Sequence, residues 1–517
     1  MKKKKFKLFD AILATVCITL VAESVAPTAS IGNAQYFWWI FIIIAFVLPY
    51  GMISAELGTA YPSEGGMYDW VKRAFGPKWA GRVAWNYWVN FPLWIASLAT
   101  MITVVLGQIF GIDLNIFWLL VIQLGYTWLV TFLSTHRIGE SKTLVNIGAV
   151  FKILFMVGLG ALGIYVFCKT GHSANPIHNV KDLLPTLDVD SISFVSIIIF
   201  NVLGFEVVAT FVNDMEKPKK EIPKALLIGG AIMALFYLLP ATGMNIAIPA
   251  DQLSLDSGLI ESFDALLPAA GIAGGLAKGL IIAVGLMFIY TFIANIASWS
   301  FGVNSVAKYA ADDGTMPRIF KKTNSEGVPY MAAIINGIVA SVIIIGGIIA
   351  GAISESVGSN FELFFKLSWI TLLIGYIPMF LAFIKLRRTD GTKRVYKVPG
   401  GPVLLNIMAF VPFVILVLGI VFTIFGDFSL DYVQEYLPLI VGVIISFVIE
   451  ELLVARLSKS TAGWVISFII AAALIIVYFT KVLPALNVIW ITGIVGTIIL
   501  GLFHLFGTER PKKEVKE

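Results

Sequence analysis

Charge is what this chain has least of. Only 13% of its 517 residues are Asp, Glu, Lys or Arg, against about 25% in soluble globular domains. With 58% hydrophobic residues and a mean hydropathy of +0.89, it holds more apolar surface than a water-soluble core can hide. Lipid must be its solvent. Cysteine is scarce too. Cys17 and Cys168 lie in or at the end of apolar runs, without ligand spacing, which argues against a disulfide or a thiolate metal site. Four scattered histidines supply no metal cluster. No glycine loop cradles a phosphate and no stretch is long enough for a nucleotide domain, so ATP does not drive the chain directly and no cofactor is expected. No nucleophile–base set stands out, so an enzyme is not expected.

Long apolar runs are abundant. A helix of about 20 residues crosses the hydrocarbon core, and about fourteen candidate spans occur: 9–31, 36–58, 83–111, 115–135, 143–168, 190–212, 223–249, 271–307, 329–352, 363–386, 402–426, 436–455, 461–480 and 485–506. A β-barrel would show short alternating segments instead. The first run is too long for a cleaved signal peptide and lacks a small-residue cleavage site. Lys and Arg stay on the cytoplasmic side, so the basic start MKKKKFK is placed inside. Most of the 37 basic residues then fall in inner tails and loops, such as Lys217, Lys219, Lys220, Arg387, Arg388 and Arg394. The outer loop at 250–265 holds only the acids Asp251, Asp256, Glu261 and Asp264. The net charge of +5 thus reflects topology and gives no reason to expect nucleic acid.

Charged groups inside spans are costly and mark function by default. Glu56 ends span 2, and Lys278, Lys366, Glu450 and Glu451 lie near span ends, where snorkelling accounts for them. Glu23 in span 1, Lys152 in span 5 and Glu206 in span 6 lie deep. Span 1 reads LVAESVAPTASIG from residue 20. Span 6 reads IIIFNVLGFEVVATF, with Asn201, Gly204 and Glu206 mid-membrane. Secondary transporters use inverted repeats whose first helices are discontinuous and expose backbone groups to substrate. Spans 1 and 6 are placed for that, with Pro27 expected at the restart of the first. The plainer alternative is two kinked helices whose glutamates bond nearby backbone and, for Lys152, a snorkelling stem.

Four loops add a pattern: YPSEGGMYDWVKRAFGPKWA (61–80), NDMEKPKKEIPKAL (213–226), NIASWSFGVNSVAKYAADDGTMPRIFKKTNSEGVPY (295–330) and YKVPGGP (396–402). In this order they resemble the amino acid–polyamine–organocation superfamily over about residues 8 to 455. IASW followed by KxxxxGVP is similar to the glutamate/GABA antiporter branch, and AADDGxxPxxF to the arginine/agmatine antiporters. The resemblance implies an all-α polytopic membrane protein with a 5+5 inverted-repeat core and alternating access around a mid-membrane site. The divisions would be a basic N-terminus (1–8), a first repeat (9–168), a second (190–386), helices 11 and 12 (402–455), two extra helices (461–506) and a cytoplasmic tail (507–517).

It also implies roles. Phe200 falls at an aromatic gate of helix 6, and Glu206 at a glutamate for gating and proton coupling. Trp299 falls at a helix 8 tryptophan that stacks on substrate, where a cation–π contact contributes about 0.5–2 kcal/mol. Asn295, four residues earlier on the same face, stands where the glutamate/GABA branch has an acid. Lys152 matches a helix 5 lysine whose ammonium replaces a sodium ion. Asn90, Trp88, Ser368 and Trp369 are weaker candidates. The superfamily's glycine-serine-glycine stretch in helix 1 is absent; AESVAPT stands there, offering Glu23, Ser24 and Ala26.

Glu23 and Glu206 would draw a cationic group through charge-assisted hydrogen bonds, and the acidic outer loop would enrich cations weakly. The expected activity is sodium-independent exchange of an amino acid or cationic amine for its product, of agmatine/putrescine or amino acid/amine type. The expected partners are those small molecules and the lipid of the plasma (inner) membrane, with both termini cytoplasmic and the chain a monomer or homodimer. A glutamate/GABA-type or neutral amino acid antiporter or proton symporter also fits the fold, with Glu23 or Glu206 protonated when loaded. A non-transporting sensor would favour long soluble tails, and a channel a continuous polar lining; neither is evident.

Overall fold

In lipid a helix satisfies its own backbone groups, so an apolar chain with no barrel pattern must be helical. The computed structural model describes residues 19–63, 65–136, 142–185, 189–204, 218–353, 360–425 and 436–458, and every regular element among them is helical. In chain order the α-helices are α1 (Val25–Ala29), α2 (Gln35–Ile42), α3 (Leu48–Ala60), α4 (Met67–Phe75), α5 (Pro77–Phe110), α6 (Ile116–Ser134), α7 (Lys142–Thr170), α8 (Val189–Val202), α9 (Pro218–Ala247), α10 (Gly258–Ala270), α11 (Gly274–Asp312), α12 (Tyr330–Ile353), α13 (Asn360–Thr389), α14 (Pro402–Phe425) and α15 (Leu437–Ser458). Among the described residues, nine helices are long and apolar enough to cross a membrane. The expected spans at 461–506, the tails at 1–8 and 507–517, residues 9–18 of span 1, and Glu206 lie outside the described residues.

The first span is broken, and its proline lies at the restart. Leu20 and Val21 leave the helix, with Val21 extended at φ −108° and ψ 102°. A 3-10 turn, Ala22–Ser24, then leads into α1. Pro27 lies in the first turn of α1, where an N–H has no helical acceptor and proline costs little. The break therefore precedes Glu23. Within the expected sixth span, α8 ends at Val202, and Gly204 turns the chain at φ +88°.

Two packing devices frame these breaks. α7 and α9 meet backbone to backbone. A methyl group on Gly163 would stand 2.5 Å from Gly243 Cα, and one on Gly243 would stand 2.4 Å from Leu159 O. Small residues permit such approach between membrane helices. At the end that carries the motif loops, Glu56 of α3 is buried and ties three segments together. It accepts from the Val398 backbone N–H at 2.6 Å and from Arg387, and forms an ion pair with Arg394 at 2.9 Å. Beside it, Tyr61 donates to Asp390 at 2.8 Å. Hydrogen bonds from Thr392 foremost, and then from Tyr61, hold the Asp390 carboxyl down at about 2.

Snorkelling does not describe the other end-of-span acids. Glu450 is 2% exposed and pairs with Arg82 of α5 at 2.9 Å, while Glu451 takes the same guanidinium. The carboxylate of Glu450 is shut from water, and its partners, Arg82 and Asn86, come from the facing helix α5.

Candidate functional site

Breaking a helix inside an apolar bundle frees backbone groups that must find partners. Three side chains supply them. The Val21 N–H donates to the Tyr237 hydroxyl at 2.8 Å, and that hydroxyl lies 3.2 Å from Val21 O. Ser24 Oγ donates to Val21 O at 2.7 Å. Lys152 Nζ donates to Leu20 O at 2.6 Å. Lys152 is 3% exposed, so its stem does not snorkel; its ammonium is committed to the break.

The break sets Glu23 facing α5 and α11. The side chain is 1% exposed. Its Oε1 accepts the Trp94 indole N–H at 2.9 Å, and its Oε2 accepts from Asn295 Nδ2 at 3.4 Å. The other end of that amide, Oδ1, accepts from Lys152 Nζ. Cation, amide, carboxylate and indole thus form one buried chain. An amide serves both neighbours at once; an aspartate at 295 would set a second carboxylate against Glu23. Hydrogen bonds to charged groups contribute about 1.5–3 kcal/mol each, which offsets part of the cost of burying two charges.

Next to this chain lies a cavity of about 30 Å³, walled by Val21, Asn90, Trp94, Phe200, Gly204 and Trp299 among others. That is space for about one water. Rings crowd it: Phe200 meets Trp94 edge-on at 6.3 Å and Phe365 at 5.6 Å. A larger cavity of about 420 Å³ opens toward the motif loops, walled by Ser54, Tyr61, Met67 and Tyr68 among others. Tyr87 and Tyr376 belong to the walls of both, their rings 6.4 Å apart, so this pair divides the two spaces.

Several expected residues meet here: Glu23, Lys152, Asn295 and, around the small cavity, Asn90, Phe200, Gly204 and Trp299. Others do not. Asn201 is fully buried and donates to Thr28 Oγ1 at 3.1 Å, which joins the two broken helices without reaching the cavity. Ala26 packs toward α10, near Gly258. Ser368 and Trp369 are buried on α13 outside the cavity walls, and Trp88 packs edge-on to Phe320 at 5.0 Å. Ser24 serves the break itself. Sequence reasoning passed over Trp94, Tyr87, Tyr376 and Tyr237. A signal existed for two of them: Tyr87, Asn90 or Phe91, and Trp94 recur at helical spacing on one face of α5.

Gly204 explains its own identity. Its φ of +88° disfavours a side chain, and a methyl there would stand 2.3 Å from Trp299 Cη2. Gly204→Ala should push the indole out of its seat. Exchange is expected to fall at least about tenfold, with stability lowered by about 1–3 kcal/mol. Uptake and melting temperature of the purified variant would check this, and a variant with normal uptake would refute it.

A multi-pass bundle, all-helical among the described residues, with one helix broken and another ended beside a buried polar site, is the architecture of a secondary transporter of LeuT-like fold. Solved structures agree at the level of the fold. The crystal structure of MhsT in complex with L-phenylalanine matches with a TM-score of 0.52 at 18% identity, over 80% of this chain and 98% of that one. A manganese transporter of Eremococcus coleocola matches with a TM-score of 0.50 at 13% identity, over 95% and 94%. The chain belongs to the amino acid permease family, whose model matches residues 6–448. It is 43% identical over 458 residues to the probable agmatine/putrescine antiporter AguD of Lactococcus lactis, over 88% of this chain and 95% of that protein. It is 25% identical over 479 residues to the glutamate/gamma-aminobutyrate antiporter of the same species, over 88% and 90%.

Proposed function

We propose that this chain exchanges a cationic amine or amino acid for its metabolic product across the plasma (inner) membrane, independently of sodium, with agmatine and putrescine as the foremost pair. The observation that carries this reading is the Glu23 carboxylate at the break in span 1, buried and held by an indole and an amide. A carboxyl group beside an aromatic cavity suits an ammonium or guanidinium group, whose approach favours the ionised form. The relation to the lactococcal antiporter supports the same choice.

Each part of the site has a task in this reading. Glu23 takes one cationic end. Trp299 and Phe200 enclose the carbon chain, with Phe200 as the gate ring. Asn90 offers a polar contact on the opposite wall, and Gly204 lets the substrate and Trp299 come close. Lys152 stands in for a bound sodium ion by charging the pocket at Leu20 O. The basic motif loops support a cytoplasmic side for the large cavity, and in that orientation Tyr87 and Tyr376 separate substrate from the cytoplasm. The small cavity, at about 30 Å³, is too small for an amine, so in this reading its rings part before substrate enters.

Counterflow in proteoliposomes tests the reading. Vesicles loaded with unlabelled putrescine should accumulate labelled agmatine at least about tenfold faster than empty vesicles, a margin set by an exchanger's need for substrate on both sides. A panel of amines, glutamate, GABA and neutral amino acids would be run alongside. Trans-stimulation by glutamate and GABA alone would move the chain to the other antiporter branch, and stimulation by none would end the exchanger reading.

A further inference from the structure

Glu23 is not part of the wall of the small cavity, whereas Trp94 is. That indole is 4% exposed and makes three contacts in different directions. Its N–H is given to Glu23 Oε1 at 2.9 Å. Its ring meets Phe200 at 6.3 Å with the planes 89° apart. A second edge contact, to Phe91 at 6.1 Å, holds it on α5. One side chain therefore touches the carboxylate of the first broken helix, a ring of the second, and the space between.

The chemistry of the donor matters. A lysine or arginine at this position would fix Glu23 but add a second cation beside it, next to Lys152. An indole N–H fixes the carboxylate and leaves the charge in place, because it donates without carrying charge. The bond also ties Glu23 to Phe200 mechanically. For Trp94 to turn away from Phe200, Oε1 must lose its donor. An incoming ammonium supplies replacement donors to the same oxygen, and only then is the ring free to move at little cost. A substrate without a cationic end offers Glu23 nothing in exchange.

We propose that Trp94 is a positioning residue that links occupation of the Glu23 carboxylate to movement of the Phe200 ring, and so sets the preference of the site for cationic amines. This rests on the exchange reading above and deepens it.

The test uses the full chain in proteoliposomes with labelled agmatine and putrescine. Trp94→Phe keeps a ring against Phe200 and removes only the N–H. Its half-saturation concentration for agmatine should rise about tenfold, the effect of one charge-assisted hydrogen bond, with maximal rate within about twofold of the parent. Preference for agmatine over a neutral amino acid should fall by the same factor. Trp94→Ala, which removes the ring too, should also lower the maximal rate. An unchanged half-saturation concentration and selectivity in Trp94→Phe overturns the proposal. If the parent protein carries no amine, the exchange reading fails by itself. The Trp94–Glu23 link is then judged by melting temperatures of Trp94→Phe, Glu23→Gln and the double variant: non-additive shifts keep it and additive shifts overturn it.

Discussion

Glu23→Gln is expected to abolish exchange of cationic amines at ordinary substrate concentrations. Glutamine keeps the size of the side chain and an oxygen for the Trp94 indole. It removes the charge that an ammonium would answer. Taking one partner from a buried hydrogen-bonded charge pair costs about 2–5 kcal/mol, which raises the half-saturation concentration by roughly 30-fold to more than 1,000-fold. The same change takes from the Lys152 ammonium the attraction of the nearby Glu23 carboxylate. The apoprotein should therefore melt lower. Agmatine binding by calorimetry, beside counterflow, measures both effects, and unchanged agmatine affinity would remove Glu23 from the site.

Lys152→Met should do comparable damage by another route. Methionine keeps the stem in place but takes donors from Leu20 O and Asn295 Oδ1, and leaves the Glu23 carboxylate without its nearby cation. Breaking one side of a buried charge pair costs about 3–5 kcal/mol. Uptake is expected to collapse and the melting temperature to drop. In the parent protein, replacing sodium by choline should leave uptake intact, because the ammonium already occupies the break. Uptake that failed in choline would show that Lys152 is no sodium surrogate.

Much of this arrangement was legible in the chain. Glu23 and Lys152 stood out because charge in an apolar run is costly enough to need a reason. The break in span 1 was legible, but its position was not. Proline signals where a helix can start, whereas the unwound residues are Leu20 and Val21, ordinary apolar residues held open by Tyr237 and Lys152 from distant spans. Glu450 misled for a similar reason: its partner Arg82 lies far off in sequence, and proximity to a span end imitates snorkelling. Trp94 was hidden among 13 tryptophans, most of which serve packing. Ser368 resembled a site residue because buried hydroxyls in membrane helices usually serve something, yet its hydroxyl lies outside the cavity walls.

The glycine seam between α7 and α9 makes those two helices behave as one stiff plank. Lys152 rides on one of them and Tyr237 on the other, and each grips one of the two unwound residues, Leu20 and Val21. The unwound turn is therefore carried like a hook on a plank rather than hung from two independent ropes. Thermal jostling that rocks the plank shifts both carbonyls in step and keeps their spacing constant. A bulky residue at Gly163 or Gly243, remote from any substrate, would split the plank and let the hook sag.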